Sequence, residues 1–151
     1  MGCDHASKQA AVSLLADSGS LELAGGMLRF QLASNPGAFL SLGAGLSEAL
    51  RGYLFLGMVP LLIAFVCVYF ARSARGSRGQ LAALAVLCGG GLGNWLDRVL
   101  HDGAVTDFVS LGFGHFRTGI FNLADLAIIA GIFWLISSTR HREAPLPKQI
   151  P

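Results

Sequence analysis

Five acid and amide side chains set into an apolar C-terminal half are the residues of this chain best suited to chemistry. They lie in three clusters, Gly93-Asn94-Trp95-Leu96-Asp97-Arg98, Val105-Thr106-Asp107-Phe108 and Phe121-Asn122-Leu123-Ala124-Asp125. Each cluster sits at or inside the edge of a segment apolar enough to cross a bilayer, where a carboxylate is costly and rarely kept without a function. Two carboxylates that converge can share a proton, because repulsion and burial raise one of the two pKa values. Such a pair can activate water with no nucleophilic side chain: one acid takes a proton from it and the other gives one to the developing product. Asp97, Asp107 and Asp125 are the acids available for it, and a folded connection can bring the last two together. Asn94 and Asn122 can orient them without adding charge.

The elements that must position these groups are membrane helices. Hydrophobic residues are 53% of the chain and charged residues 13%, against roughly 25% charged in a soluble domain. The length suits one unit, not two. A net charge of +2 with no basic stripe gives no support to a nucleic-acid partner. Cys67 and Cys88 lie in apolar runs and, with Cys3, read as small packing residues, not a disulfide or metal set.

Three spans follow from hydropathy: 52–71, where Pro60 is tolerable in a membrane helix, the glycine-rich 79–96, and 119–138. Gly89, Gly90, Gly91 and Gly93 suit close approach to a neighbouring helix. Arg72, Arg75 and Arg78 join the first two spans, and Arg140, His141, Arg142 and Lys148 follow the last. Both stretches therefore face the cytoplasm, and the three polar clusters gather at the outer face. Residues 1–16 read as a partial first helix, roughly 24 Å long against a hydrocarbon core of roughly 30 Å. Leu28 to Leu32 alternates apolar with polar, the period of a half-buried strand, and Asn35-Pro36-Gly37 turns the chain after it. The segment 21–45 is thus an outer β region. Residues 143–151 form a loose tail.

The motifs together resemble the lipoprotein signal peptidase (signal peptidase II) family of bacterial membrane aspartic peptidases, over nearly the whole chain. Asp4-x-x-Ser7-Lys8 is similar to a motif near the outer end of that family's first helix, and Asn35-x-Gly37-Ala38 to one in its outer sheet that contacts ligand. Gly93-Asn94-x-x-Asp97-Arg98, Val105-x-Asp107-Phe108 and Phe121-Asn122-x-Ala124-Asp125 are similar to the remaining three. Any one match is weak; five in order are specific.

The resemblance implies an all-α integral membrane bundle of four transmembrane helices, the first truncated here, with a small extracytoplasmic β-sheet. It implies cleavage of the signal peptide from diacylglyceryl-modified prolipoproteins before the lipidated cysteine. Asp107 and Asp125 would be catalytic. Asn35, Gly37, Asn94, Asp97, Arg98, Asn122, Ala124, Asp4 and Lys8 would bind substrate or support the site, with Arg98 holding a substrate carbonyl. The enzyme would be a monomer in the bacterial cytoplasmic membrane, with prolipoprotein and membrane lipids as partners and no metal or other cofactor. Leu111 to Arg117, with Phe113 and Phe116, would help cradle the peptide.

Singly, these residues have plainer readings. Asp97-Arg98 suits a helix end, Asp107 a solvated turn, and Asp4 with Lys8 a surface pair contributing a few tenths of a kcal/mol. Trp95 and Trp134 suit interface anchors; His101 and His115 suit loops. Co-occurrence at one membrane face argues against taking them singly. Two other functions remain open: a proton-relay or transport subunit using Asp125 with Asp97, and a metal-dependent hydrolase using Asp97, His101, Asp102, Asp107 and His115.

Overall fold

The structure, a computed structural model, describes residues 2–72 and 77–140. Helix α1 (Gly2–Leu15) buries Asp4, Lys8, Ala11 and Leu15, a spacing that puts all four on one stripe. The stripe is polar in its first two turns and apolar in its last. Ala11 and Leu15 pack with Phe108, and Phe30, Leu32 and Val109 close around them. Strands β1 (Ser20–Leu23), β2 (Leu28–Asn35), β3 (Val105–Phe113) and β4 (Phe116–Arg117) form an antiparallel sheet in the order β1-β2-β3-β4.

The alternating Leu28–Leu32 segment lies in β2. Strand β3, by contrast, falls in what the sequence reading leaves as an irregular outward connection. The reason lies in its side chains: Asp107 and Ser110 occupy buried positions in the strand, so polar residues break the apolar alternation. A register shift between Phe30 and Ala33 separates the distal pairing, Leu28 with Leu111, from the proximal pairing, Ala33 with Asp107. That irregularity re-aims the proximal half of the strand.

A continuous helix runs from Glu48 to Arg72. It comprises α2 (Glu48–Arg51), a π-helical stretch (Gly52–Met58) and α3 (Val59–Arg72). Among the described residues it is the one helix long and apolar enough to cross a membrane, with a window of mean hydropathy 2.5 that buries no residue inside the chain. A surface so apolar and so bare suits lipid. Pro60 accounts for a local adjustment. It has no N–H for the carbonyl four residues back, and that carbonyl, Leu56 O, instead accepts from Trp95 Nε1 at 3.1 Å. Trp95 thus ties two helices together.

Helix α4 (Arg78–Leu100) begins in a capping box, with Ser77 and Gln80 each satisfying the other's backbone N–H. It packs on α5 (Leu123–Arg140) at van der Waals range. A Cβ added at Gly90 would lie 2.6 Å from Ala124 O, and one added at Gly131 would lie 2.7 Å from Leu87 N. The glycines therefore set the distance between these helices. Residues 119–122, assigned from hydropathy to the last span, precede α5, and Phe121 forms a β-bridge with Val109. Arg75, His141, Arg142 and Lys148, on which part of the orientation argument rests, lie outside the described residues, as does the 143–151 tail.

Candidate active site

Four elements deliver polar side chains to one buried locus where the sheet meets the helix ends. Asp107 comes from β3, Asp125 from the first turn of α5, and Asn122 from just before it. Asn94, Asp97 and Arg98 line the last turns of α4; Asp4 and Lys8 come from α1. Asp107 is 1% exposed, Asn122 0% and Asp125 4%, so every polar atom here needs a protein partner or bound water.

The partners are amides. Asp107 accepts from Asn35 Nδ2 at 2.8 Å and from Asn122 Nδ2 at 2.6 Å. Asp125 accepts from Asn94 Nδ2 at 2.8 Å and from the Asn122 backbone N–H at 3.2 Å. Asn122 returns the contact, its Oδ1 accepting from Asp125 N–H at 3.0 Å. It also donates to Asn94 Oδ1 at 3.1 Å. One asparagine therefore touches both acids and the other asparagine. Burial is the main force on Asp107 and pushes its carboxyl up to about 6; the Asn35 and Asn122 donors pull it down, the Asp125 charge pushes it up, and Lys8 pulls it down.

Behind the acids lies a second buried group. Lys8 Nζ is 2.8 Å from Asp4 Oδ2 and 3.0 Å from Asp97 Oδ2. Asp97 Oδ2 also accepts from Thr106 N–H at 3.0 Å, holding the start of β3, and Asp4 Oδ1 accepts from Ala124 N–H at 2.9 Å. Asp4 and Lys8 are thus an interior pair, not the surface pair their spacing alone suggests. The sequence carried one signal of this: two charges facing inward on a short apolar helix.

Arg98 and Asp97 are adjacent but do not pair. Arg98 donates to Asn94 O at 3.0 Å and to Gly37 O, with its guanidinium 4.9 Å from the Phe55 ring centre. Its Nε has no partner. Asn35 Oδ1 accepts from Gly37 N–H at 2.9 Å, closing an Asx-type turn, and a Cβ at Gly37 would sit 2.6 Å from Leu42 O. Asn35 and Gly37 are therefore tied to Asp107 and Arg98 respectively. Beside Arg98 opens a cavity of about 960 Å³ with Pro36, Phe55 and Asp102 in its wall. A second, apolar cavity of about 660 Å³ lies at the far end of the sheet among Met27, Leu28, Leu111, Phe113 and Phe116.

The metal reading's five residues are dispersed. Asp97 is engaged by Lys8, the His101 ring lies against Asp97 O at 3.0 Å, and Asp102 and His115 are exposed. Among the described residues no three of His, Cys, Asp or Glu converge.

Comparison with known proteins shows the fold and the family. The fold resembles a solved structure described as a bacterial membrane enzyme, with a TM-score of 0.74 at 24% identity over 95% of this chain and 87% of that one. A family model described as signal peptidase (SPase) II matches residues 1–140. The chain belongs to that family, and is a hydrolase of the membrane protease class. It is 33% identical to the lipoprotein signal peptidase of Treponema pallidum, over 88% of this chain and 74% of the relative. It is 30% identical to that of Listeria monocytogenes serotype 4a, over 77% and 71%.

Proposed function

We propose that the chain removes the signal peptide from diacylglyceryl-modified prolipoproteins, cutting before the lipidated cysteine with water activated by Asp107 and Asp125. The observation that carries this is the pair of buried carboxylates bound to the same asparagine, Asn122. In the proposed reaction one ionised acid takes a proton from water as its oxygen bonds to the scissile carbonyl carbon. The protonated partner donates to the developing oxyanion. Collapse of the tetrahedral intermediate breaks the C–N bond: the first acid gives its proton to the leaving amine and the partner takes one back from a hydroxyl of the diol, which restores the starting protonation. An acid held near pH 6 suits this exchange at physiological pH.

The proposed setting is the bacterial cytoplasmic membrane, entered by α1 and crossed by the Glu48–Arg72 helix, α4 and α5 as a monomer, with the acids at the extracytoplasmic face. Arg72 ends α3 and Arg78 opens α4, at the opposite end of the helices from the acids, which supports that orientation. The diacylglyceryl chains would lie among bilayer lipids, while the sheet receives the peptide.

Asp107→Asn and Asp125→Asn tests the reading in purified, detergent-folded protein. Each should reduce cleavage of a lipidated prolipoprotein by at least ~10²-fold, since each deletes a proton-transfer role. EDTA should leave turnover of the parent unchanged. Near-parental turnover by either variant would reject the assignment of the pair; loss in EDTA, restored by zinc or magnesium, would favour a metal-dependent hydrolase.

A further inference from the structure

The buried Lys8 has a consequence for the acids that its ion pairs do not exhaust. The residue is 3% exposed, and its ammonium has three protons to give, with no capacity to accept. Two protons go to Asp4 and Asp97. The third goes to Asn94 Oδ1 at 3.1 Å. Because a lysine can only donate, the atom of Asn94 that faces it must be the carbonyl oxygen. The Asn94 amide nitrogen is then forced toward Asp125, whose Oδ1 accepts at 2.8 Å.

The next amide is set by a second obligate donor: Asp125 N–H donates to Asn122 Oδ1 at 3.0 Å, so the Asn122 nitrogen faces Asn94 Oδ1 at 3.1 Å and Asp107 Oδ1 at 2.6 Å. The Lys8 ammonium and the Asp125 N–H thus hold the two amides in one consistent direction. A flipped Asn94 would set its NH2 against the ammonium and its carbonyl against Asp125.

We propose that Lys8 is a positioning residue for the hydrolytic chemistry: its ammonium holds the Asn94 amide from which Asp125 accepts and, as the cation behind the Asn94–Asn122 chain, favours the ionised form of the acid that takes the proton from water. This rests on the assignment of those two acids above. The charged and titratable groups facing the locus are Asp4 on α1, Asp97 and Arg98 on α4, Asp107 on β3 and Asp125 on α5. His5 and His101 flank Lys8 at the rim of a cavity of about 290 Å³. Within that set Lys8 and Arg98 are the cations, and Lys8 alone reaches the amides through a side-chain contact with Asn94.

The test is Lys8→Met, which keeps the length of the side chain and removes the charge. A second variant, Lys8→Met with Asp97→Asn, relieves one of the two carboxylates that Lys8 pairs with while keeping an acceptor for the Thr106 N–H. Both are compared with the parent by pH–rate profiles on a lipidated prolipoprotein in detergent, with Asp107→Asn run beside them. We expect kcat to fall ~10- to 100-fold with little change in KM. The acidic limb of the profile should move upward by about 0.5–1 pH, because removing a nearby cation favours the protonated acids. A folded variant whose limbs superimpose on those of the parent overturns the proposal, whatever its rate. Failure of both variants to fold assigns Lys8 to folding alone and also overturns it. An active Asp107→Asn would instead bring down the assignment of the acids themselves, an outcome separate from either.

Discussion

Asn122 donates to Asp107 Oδ1 at 2.6 Å while its backbone N–H is accepted by Asp125 Oδ2 at 3.2 Å. A residue with no exposed surface thus holds one acid of β3 and one of α5 in a common frame. This locates the catalytic proposal physically: the strand and the helix meet through an amide, which carries no charge to compete with the shared proton.

Asn122→Ala should therefore lower kcat by ~10- to 100-fold, less than the loss at either acid, because it removes positioning and leaves proton transfer intact. Binding of a peptide-like inhibitor that presents a hydroxyl to the acids should weaken in step. The cost in stability should be on the order of 1–3 kcal/mol, since Asp125 N–H loses its acceptor. A variant with parental kcat and inhibitor affinity would remove Asn122 from the site.

The link between Trp95 and Leu56 makes a different prediction, about the membrane helices. Trp95→Phe deletes the donor to a carbonyl that Pro60 leaves unpaired, and should cost about 1 kcal/mol in detergent unfolding. In a Pro60→Ala background the helix can supply its own N–H to Leu56 O, so the same Trp95→Phe change should cost close to nothing. A cycle in which the two changes are simply additive would sever Trp95 from the proline.

Apolar runs and short polar clusters were enough to read much of this molecule from its sequence. The Glu48–Arg72 span stands out because every residue from Gly52 to Ala71 is uncharged, and the glycine run of α4 announces a close neighbour because at Gly90 nothing larger than hydrogen fits against α5, whereas Gly89 faces open space. Strand β3 was hidden by the site itself. Asp107 and Ser110 take buried positions where a strand ordinarily shows apolar residues, so periodicity fails where function intrudes. The convergence of Asp4 and Asp97 on Lys8 was equally out of reach, since it depends on the placing of α1 beside α4, which no local pattern encodes. The hydrogen bond of Trp95 was out of reach for the same reason: its partner is a backbone carbonyl thirty-nine residues away.

The raised pKa of Asp107 also bears on folding. Burial, the largest influence, lifts the group from 3.8 to about 6. Between those values the folded chain binds more protons than the unfolded chain, so stability falls as pH rises through that window. The contribution is fully present below about pH 4 and lost above about pH 6. An amide at position 107 cannot ionise and escapes this loss, although it sets an NH2 against one of the donors Asn35 and Asn122 at every pH. Asp107→Asn should thus be less stable than the parent at pH 4, and the difference should move in the variant's favour by up to about 3 kcal/mol on going to pH 7.5. Thermal unfolding of both proteins in one detergent across that range is the measurement. Melting curves that stay a constant distance apart would mean that Asp107 ionises as readily in the folded chain as in the unfolded one, and a proton shared with Asp125 near neutral pH would lose its physical basis.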